Sequence, residues 1–311
     1  MRLLKRGGAP FCGTVHHVVL LFGVGLVGGP IEEFLLCNGW RSEQLDYDWS
    51  DGARRAMQRT HIAAWLTELL GPTEVRLDIV WAAGKNGFDS NAETMATETA
   101  LLTEVLELAR RLLDQIPDAE HSFHLISSAG ALFEGQVHIE NASQPVPTRA
   151  YGVAKLKQER LVAGLPDAIR QMVYRPSSVY GYRPGARIGL FAALLRGALE
   201  NRTARIFGLA DTLRDYVYNE DIGRFVVERI LLPRHRETCL LASGKPTSTF
   251  EAIHLIESVT QTRLYLQFDP APQNALHMSF RPSALPQDWS VTPIRTGIYR
   301  TMQLLKGLCR T

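Results

Sequence analysis

Long apolar runs are scarce in this sequence. The most apolar stretch, Val18 to Ile31, holds four glycines and Pro30. It falls short of the roughly 20 residues a membrane-spanning helix needs. No membrane partner is expected on that ground. Cysteine is also sparse: Cys12, Cys37, Cys239 and Cys309 stand far apart, with no Cys-x-x-Cys pair and no Cys/His ligand spacing. A zinc site is therefore not expected, and neither is any other metal. A chain this long needs no disulfide staples, so free thiols in a reducing cytoplasm are expected. Excess charge is missing too. A net charge of +2 over 311 residues argues against nucleic acid as the main partner. The first residues, Met1 to Thr14, lack an apolar core of signal-peptide length. They read as a disordered tail, or as the product of an upstream start codon. No internal repeat or low-complexity segment is visible.

The composition, 45% hydrophobic and 21% charged, is that of a soluble globular protein with a sizeable core. His16 to Phe22 is a continuous apolar block such as a buried parallel strand carries. Gly23-Val24-Gly25-Leu26-Val27-Gly28 follows at once, and a helix from Ile31 to Cys37 comes next. Gly-x-Gly-x-x-Gly between a strand and a helix is a dinucleotide fingerprint. Gly23 would permit the tight turn, Gly25 the approach of backbone to a pyrophosphate, and Gly28 the packing of helix on strand. Leu26 and Val27 lie where helix N–H groups would face the phosphates. The fingerprint expects an acid about 20 residues on. Asp46 fills that place, with Asp48 as the alternative. An acid there favours NAD; Arg41, Arg54 and Arg55 nearby leave NADP open.

Strands and helices alternate through residue 181. Strand Arg76–Trp81 ends in Ala82-Ala83-Gly84, small residues suited to a close-lying ligand. A long helix, Glu93 to Leu113, leads to strand His121–Ile126 and then Ser127-Ser128. Strand Gln171–Tyr174 ends in Arg175-Pro176-Ser177-Ser178. The expected fold is α/β: a Rossmann-type doubly wound parallel sheet over residues 15–182. Residues 183–311 would form a smaller mixed α/β C-terminal substrate-binding lid, with helix 221–231 and strand 238–242 returning to the sheet.

Between the strand-end serines and Arg175 lies Ala150-Tyr151-Gly152-Val153-Ala154-Lys155, the start of an amphipathic helix. Residues i and i+4 share a helix face. An ammonium so placed favours the phenolate of a neighbouring phenol, which suits proton exchange near neutral pH. Tyr-x-x-x-Lys alone is common by chance; its context decides.

Taken in order, these pieces resemble the extended short-chain dehydrogenases/reductases, and within them the nucleotide-sugar epimerase/dehydratase group. The matching residues are Gly23, Gly25 and Gly28; Ala82-Ala83-Gly84; Ser127-Ser128-Ala129; Tyr151 and Lys155; Arg175 to Gly181; and Arg214-Asp215-Tyr216-Val217. The resemblance runs from about Val18 to Thr301. It implies NAD as cofactor and a nucleotide sugar as substrate. Tyr151 would be the acid/base and Lys155 would tune it and hold the nicotinamide ribose. Ser128 would bond the reacting oxygen, with Ser127 beside it, and Pro176 would border the nicotinamide. Ser178 would lie toward the substrate. Arg214, and with less weight Arg281, would contact the substrate diphosphate. A cytoplasmic homodimer, built from the helices that begin at Glu93 and Tyr151, is a further implication.

Several departures from the group narrow the reaction. The glycine loop is one residue shorter between its first two glycines. Thr99 and Ser178 stand where asparagines are usual. Ala129-Gly130 occupies the place of the Asp-Glu pair that a 4,6-dehydratase uses, so dehydration is disfavoured. No cysteine reaches the predicted edge for a 3,5-epimerase. A 4-epimerase passing through a 4-keto sugar is the first expectation, and a keto-sugar reductase the second. A dinucleotide-binding sensor without chemistry, or a reductase of apolar alcohols, would be other outcomes.

Overall fold

The computed structural model describes residues 1–6, 16–70, 75–232 and 236–308. Cys12 and Cys309 lie outside these, while Cys37 and Cys239 are free thiols. The chain opens with β1 (Arg2–Arg6), β2 (His16–Phe22), α1 (Gly28–Cys37), β3 (Trp40–Gln44), α2 (Gly52–Leu70) and β4 (Val75–Trp81). Then come α3 (Ala92–Gln115), β5 (Glu120–Ile126), the one-turn α4 (Ala129–Leu132), α5 (Ala150–Ala163) and β6 (Ile169–Pro176). A seven-stranded sheet has the order β10-β6-β5-β4-β2-β1-β3, where β10 is Glu237–Leu241. All neighbouring strands in it run parallel except β1, which is antiparallel to both β2 and β3.

One apolar core fills the face toward α2, α3 and α5, with Leu20, Leu77, Leu102 and Phe123. A second fills the face toward α1 and α7 (Asn219–Leu231), with Val19, Leu21, Ile222 and Phe225. The strands between them feed alternate side chains into the two cores, so apolar residues are needed on both of their faces.

β1 corrects the expectation of a disordered tail over Met1 to Thr14. Arg2–Arg6 is a strand between β2 and β3, its Leu3 in one core and its Leu4 in the other. Only two apolar residues among basic ones hid it. The charges are matched, Arg2 to Glu32 at 3.0 Å and Lys5 to Glu43 at 2.7 Å. Residues 7–14 lie outside the described residues.

The remaining elements are β7 (Ser178–Tyr180), α6 (Leu190–Glu200), β8 (Ala204–Phe207), β9 (Leu213–Tyr218), β11 (Pro246–Ser248), α8 (Thr249–Thr260), β12 (Leu266–Asp269) and α9 (Ile294–Leu308). They build a smaller unit around Tyr180, Phe191, Leu194, Tyr218 and Ile298. Ser248 Oγ accepts from Glu251 N at 3.0 Å and so starts α8. Asp215 of β9 ties this unit to the sheet edge. Its carboxylate accepts from Ser177 Oγ and from the backbone N–H groups of Ser243 and Gly244. No helix among the described residues is long and apolar enough to cross a membrane.

Candidate active site

The carboxy edge of the sheet gathers the loops that follow β2, β4, β5 and β6. After β2 the chain turns at Gly23, whose φ of +93° few other residues adopt. A Cβ at Gly23 would lie 2.5 Å from Ala82 O, so the β2 and β4 loops touch. A Cβ at Gly28 would lie 1.9 Å from Gly23 O, which closes the loop onto the first turn of α1. At Gly25 nothing stands within 4 Å of that position. The shortened loop thus has the tight turn at Gly23 and the close packing at Gly28, and its Gly25 position faces open space. Leu26 O accepts a 2.8 Å bond from Asn219 Nδ2, which anchors the loop; Val27 is the N-cap of α1.

The adenosine-ribose end differs from expectation. β1 stands between β2 and β3, and Asp46 lies beyond the end of β3. Neighbouring strands are about 4.8 Å apart, so the intervening strand roughly doubles the distance from the glycine loop to the end of β3. Asp46 is exposed there, bonded to Arg54 and Gln58 at 3.2 Å each. Asp48 is engaged locally, accepting from Ser50 and from Asp51 N. These bonds hold its carboxyl down at about 2.

Tyr151 and Lys155 stand in the first turns of α5. The Lys155 Nζ lies 5.6 Å from the centre of the Tyr151 ring, and Phe88 packs on the same ring at 5.9 Å. Gly152 sets the height of this turn, because a Cβ there would meet Ala131 O at 2.4 Å. α5 therefore rests directly on α4 and the Ser128 turn. Lys155 is buried and donates to Glu98 Oε1 at 2.9 Å and to Gln158 Oε1 at 3.1 Å. Gln158 Nε2 donates back to Glu98 Oε1 at 3.1 Å, and Asn86 Nδ2 to Glu98 Oε2 at 2.9 Å. Burial alone would push the Lys155 ammonium down, but Tyr151 and Glu98 outweigh it and leave it raised. Burial likewise pushes Glu98 up, and Lys155 with its other donors holds it below the usual range. A Cβ on Gly84 would sit 3.6 Å from both Lys155 Nζ and Glu98 Oε1, so the pair lies under the Ala82-Ala83-Gly84 turn.

The other expected residues divide. Ser128 caps α4, its Oγ accepting from Ala131 N at 3.3 Å. Ser127 turns away, donating to Glu159 Oε1 at 2.5 Å, and Arg175 holds that carboxylate with two bonds. Pro176 ends β6, and Ser178 pairs with Tyr216 in the smaller unit. The guanidinium of Arg214 donates to the carbonyls of Leu276 and Asn274. Arg281 is exposed, 3.8 Å from Glu140. Glu98, Gln158, Phe88, Asn219 and the Arg149–Glu134 pair were not anticipated. Thr99, expected where the group carries asparagine, bonds Met95 O instead; Glu98 is the α3 side chain that faces Lys155. One signal could have found it: Glu98 lies on the buried stripe of α3 with Met95, Leu102, Val105 and Leu106. An acid there needs a buried partner.

The family description "NAD dependent epimerase/dehydratase family" matches residues 25–236, more than half of the sequence. The chain belongs to that family. Among individual proteins, it is 24% identical over 217 residues to a Methanocaldococcus jannaschii protein whose name proposes a UDP-glucose 4-epimerase. That match covers 67% of this chain and 68% of the relative. The UDP-glucose 4-epimerase of Thermotoga maritima, solved with UDP-glucose, has a similar fold at 18% identity and a TM-score of 0.67. It covers 94% of this chain and 99% of its own. The UDP-glucuronic acid 4-epimerase of Bacillus cereus, solved with UDP-glucuronic acid and NAD, is similar at 19% identity and a TM-score of 0.67. It covers 93% of this chain and 99% of its own.

Proposed function

We propose that this chain is an NAD-dependent 4-epimerase of a nucleotide-activated sugar, working through a 4-keto sugar with Tyr151 as acid/base. The observation that carries the reading is the meeting of Tyr151 with Lys155, whose ammonium lies beneath Gly84, on the same edge as the open glycine loop. Gly25 and the first turn of α1 would take the pyrophosphate of the cofactor. Lys155 would take its nicotinamide ribose. NAD, when bound, supplies a two-electron acceptor and donor for the sugar carbon. The chain's own part is the proton. Tyr151 Oη removes it from the sugar hydroxyl and returns it when the hydroxyl is restored. Ser128, with its Oγ at the turn that α5 rests on, would bond the sugar oxygen. Ser127 would support Glu159 rather than the substrate. Ala129 and Gly130 are buried in α4 and supply no acid or base for dehydration.

A keto-sugar reductase is the second reading. It is favoured by β1, which sets Asp46 apart and leaves the adenosine ribose without that acid's grip. An epimerase retains its cofactor, whereas a reductase exchanges it every turnover.

Mass spectrometry of the purified protein and a panel of UDP- and other nucleotide sugars test both readings. Retained NAD with interconversion of two 4-epimers is the expected result. Loss of nucleotide on gel filtration, with reduction of a keto sugar by added NADH or NADPH, selects the reductase. Y151F should lower turnover about 100-fold or more while bound nucleotide is unchanged. Wild-type protein that turned over no sugar and held no nicotinamide would end both readings.

A further inference from the structure

We propose that Glu98 is a positioning residue of this site: it fixes the Lys155 ammonium and neutralises it, so that Tyr151 faces an ion pair and not a free cation. The inference rests on the reading of Tyr151 as the proton-exchanging phenol.

Three observations carry it. Glu98 and Lys155 are both buried, so neither charge is screened by water. Glu98 Oε1 is 2.9 Å from Nζ, and Gln158 bridges the pair with a bond to each member. Glu98 Oε2 is claimed by Asn86 of the loop after β4, so the carboxylate is fixed at both oxygens. The ammonium has little freedom to swing from this carboxylate toward the ring 5.6 Å away.

Several other charges on the elements packed near Tyr151 have partners of their own. Glu159, further along α5, is paired with Arg175 of β6. Arg149 at the start of α5 is paired with Glu134. In the loop after β4, Asp89 is paired with Arg187, and Lys85 lines the polar cavity they share. Arg214 of β9 is held by carbonyls. Among the described residues Glu98 is the one acid bonded to the lysine of the pair, with Glu159 acting on it from farther off.

The arrangement makes a definite electrostatic statement. A free cation near a phenol draws it toward phenolate; an adjacent carboxylate cancels much of that field. Replacing Glu98 by Gln keeps the shape of the side chain and the acceptor facing Lys155, removes the charge, and turns the oxygen facing Asn86 into a donor, which Asn86 can meet with its own amide oxygen. Tyr151 should then ionise at lower pH.

The test is an ultraviolet titration of tyrosinate in the full-length, ligand-free protein, with Y151F subtracted to isolate Tyr151. Burial pushes Tyr174, Tyr180, Tyr216 and Tyr218 up, so their signals fall at higher pH. E98Q is expected to move the Tyr151 transition down by about one pH unit or more, which is roughly tenfold more phenolate at a fixed pH below it. K155M added to E98Q should abolish that shift. A Tyr151 transition that is unmoved or raised in E98Q overturns the proposal. If E98Q does not fold, E98N carries the same measurement. Failure of both to fold would make the pair a core ion pair only and would also overturn it. The titration needs neither substrate nor turnover, so its failure is separate from failure of the epimerase reading.

Discussion

At Asp78 a single carboxylate serves two imidazoles. His17 Nε2 meets its Oδ2 at 2.6 Å, His124 Nε2 meets its Oδ1 at 2.8 Å, and His124 Nδ1 continues to Tyr174 Oη at 2.9 Å. Burial alone would push the carboxyl up, but the bonds from His124 and His17 outweigh it and hold it well below the usual range. A carboxyl so depressed gives stability that is fully present above its unfolded pKa, near 3.9, and is lost as pH falls through the folded value. D78N should therefore cost roughly 3–5 kcal/mol at pH 7, because it leaves the imidazoles facing an amide in the core. Urea melts at pH 7 and pH 3 check this: the gap between wild type and variant should narrow in acid. The Tyr151–Lys155 pair was legible from spacing and order alone. Glu98 was not: its place on the buried stripe of α3 hints at a partner, but nothing local says which, since Lys155 lies 57 positions away. Ser127 misled for the same reason: in sequence it looks like the twin of Ser128, and only Glu159 pulls it inward.

At the scale of elements, β1 is the feature that departs most from expectation. Its register fixes Leu4 against Val19 on one side and Ser42 on the other, and its side chain is fully buried among Val19, Leu21 and Leu35. L4A should destabilise the protein by about 2–5 kcal/mol, as for other buried leucines, and hydrogen exchange should show β3 loosening before β4. Full retention of β3 protection would show that the strand is dispensable. The parallel strands β2, β4, β5 and β6 were readable because each carries a run of apolar residues within the alternation of strands and helices, although polar side chains such as Asp78, Ser122 and Gln171 interrupt three of them. β1 was not, because five residues with only two apolar side chains carry too weak a pattern to separate a strand from a tail. The unexpected setting of Asp46 follows from the same gap. Counting some 20 residues from the glycine loop assumes that β2 and β3 are neighbours.

Across the whole molecule, Asp215 is one of the fastenings between the smaller unit and the sheet. Asp215 leaves β9 and accepts three bonds from residues beyond β6 and β10. Burial pushes its carboxyl up although these donors pull the other way. D215N turns an acceptor into a donor against Gly244 N–H or the Ser177–Ser243 donors, and should cost about 1–3 kcal/mol. Small-angle scattering and limited proteolysis of the variant should report looser docking of residues 183–218 on the sheet; unchanged cleavage would refute this.

The position of β1 also has a consequence for the order of events as the chain is made. A strand that lies between its two partners cannot gain its full pairing until both exist. Residues 2–6 are synthesised before either partner, and the second partner ends at Gln44. Two rows of unpaired N–H and C=O groups must wait until that length of chain is available, and such edges invite pairing with another molecule. Arg2, Lys5 and Arg6 keep that waiting strand charged and soluble, and two of these charges, Arg2 and Lys5, find Glu32 and Glu43 once it docks.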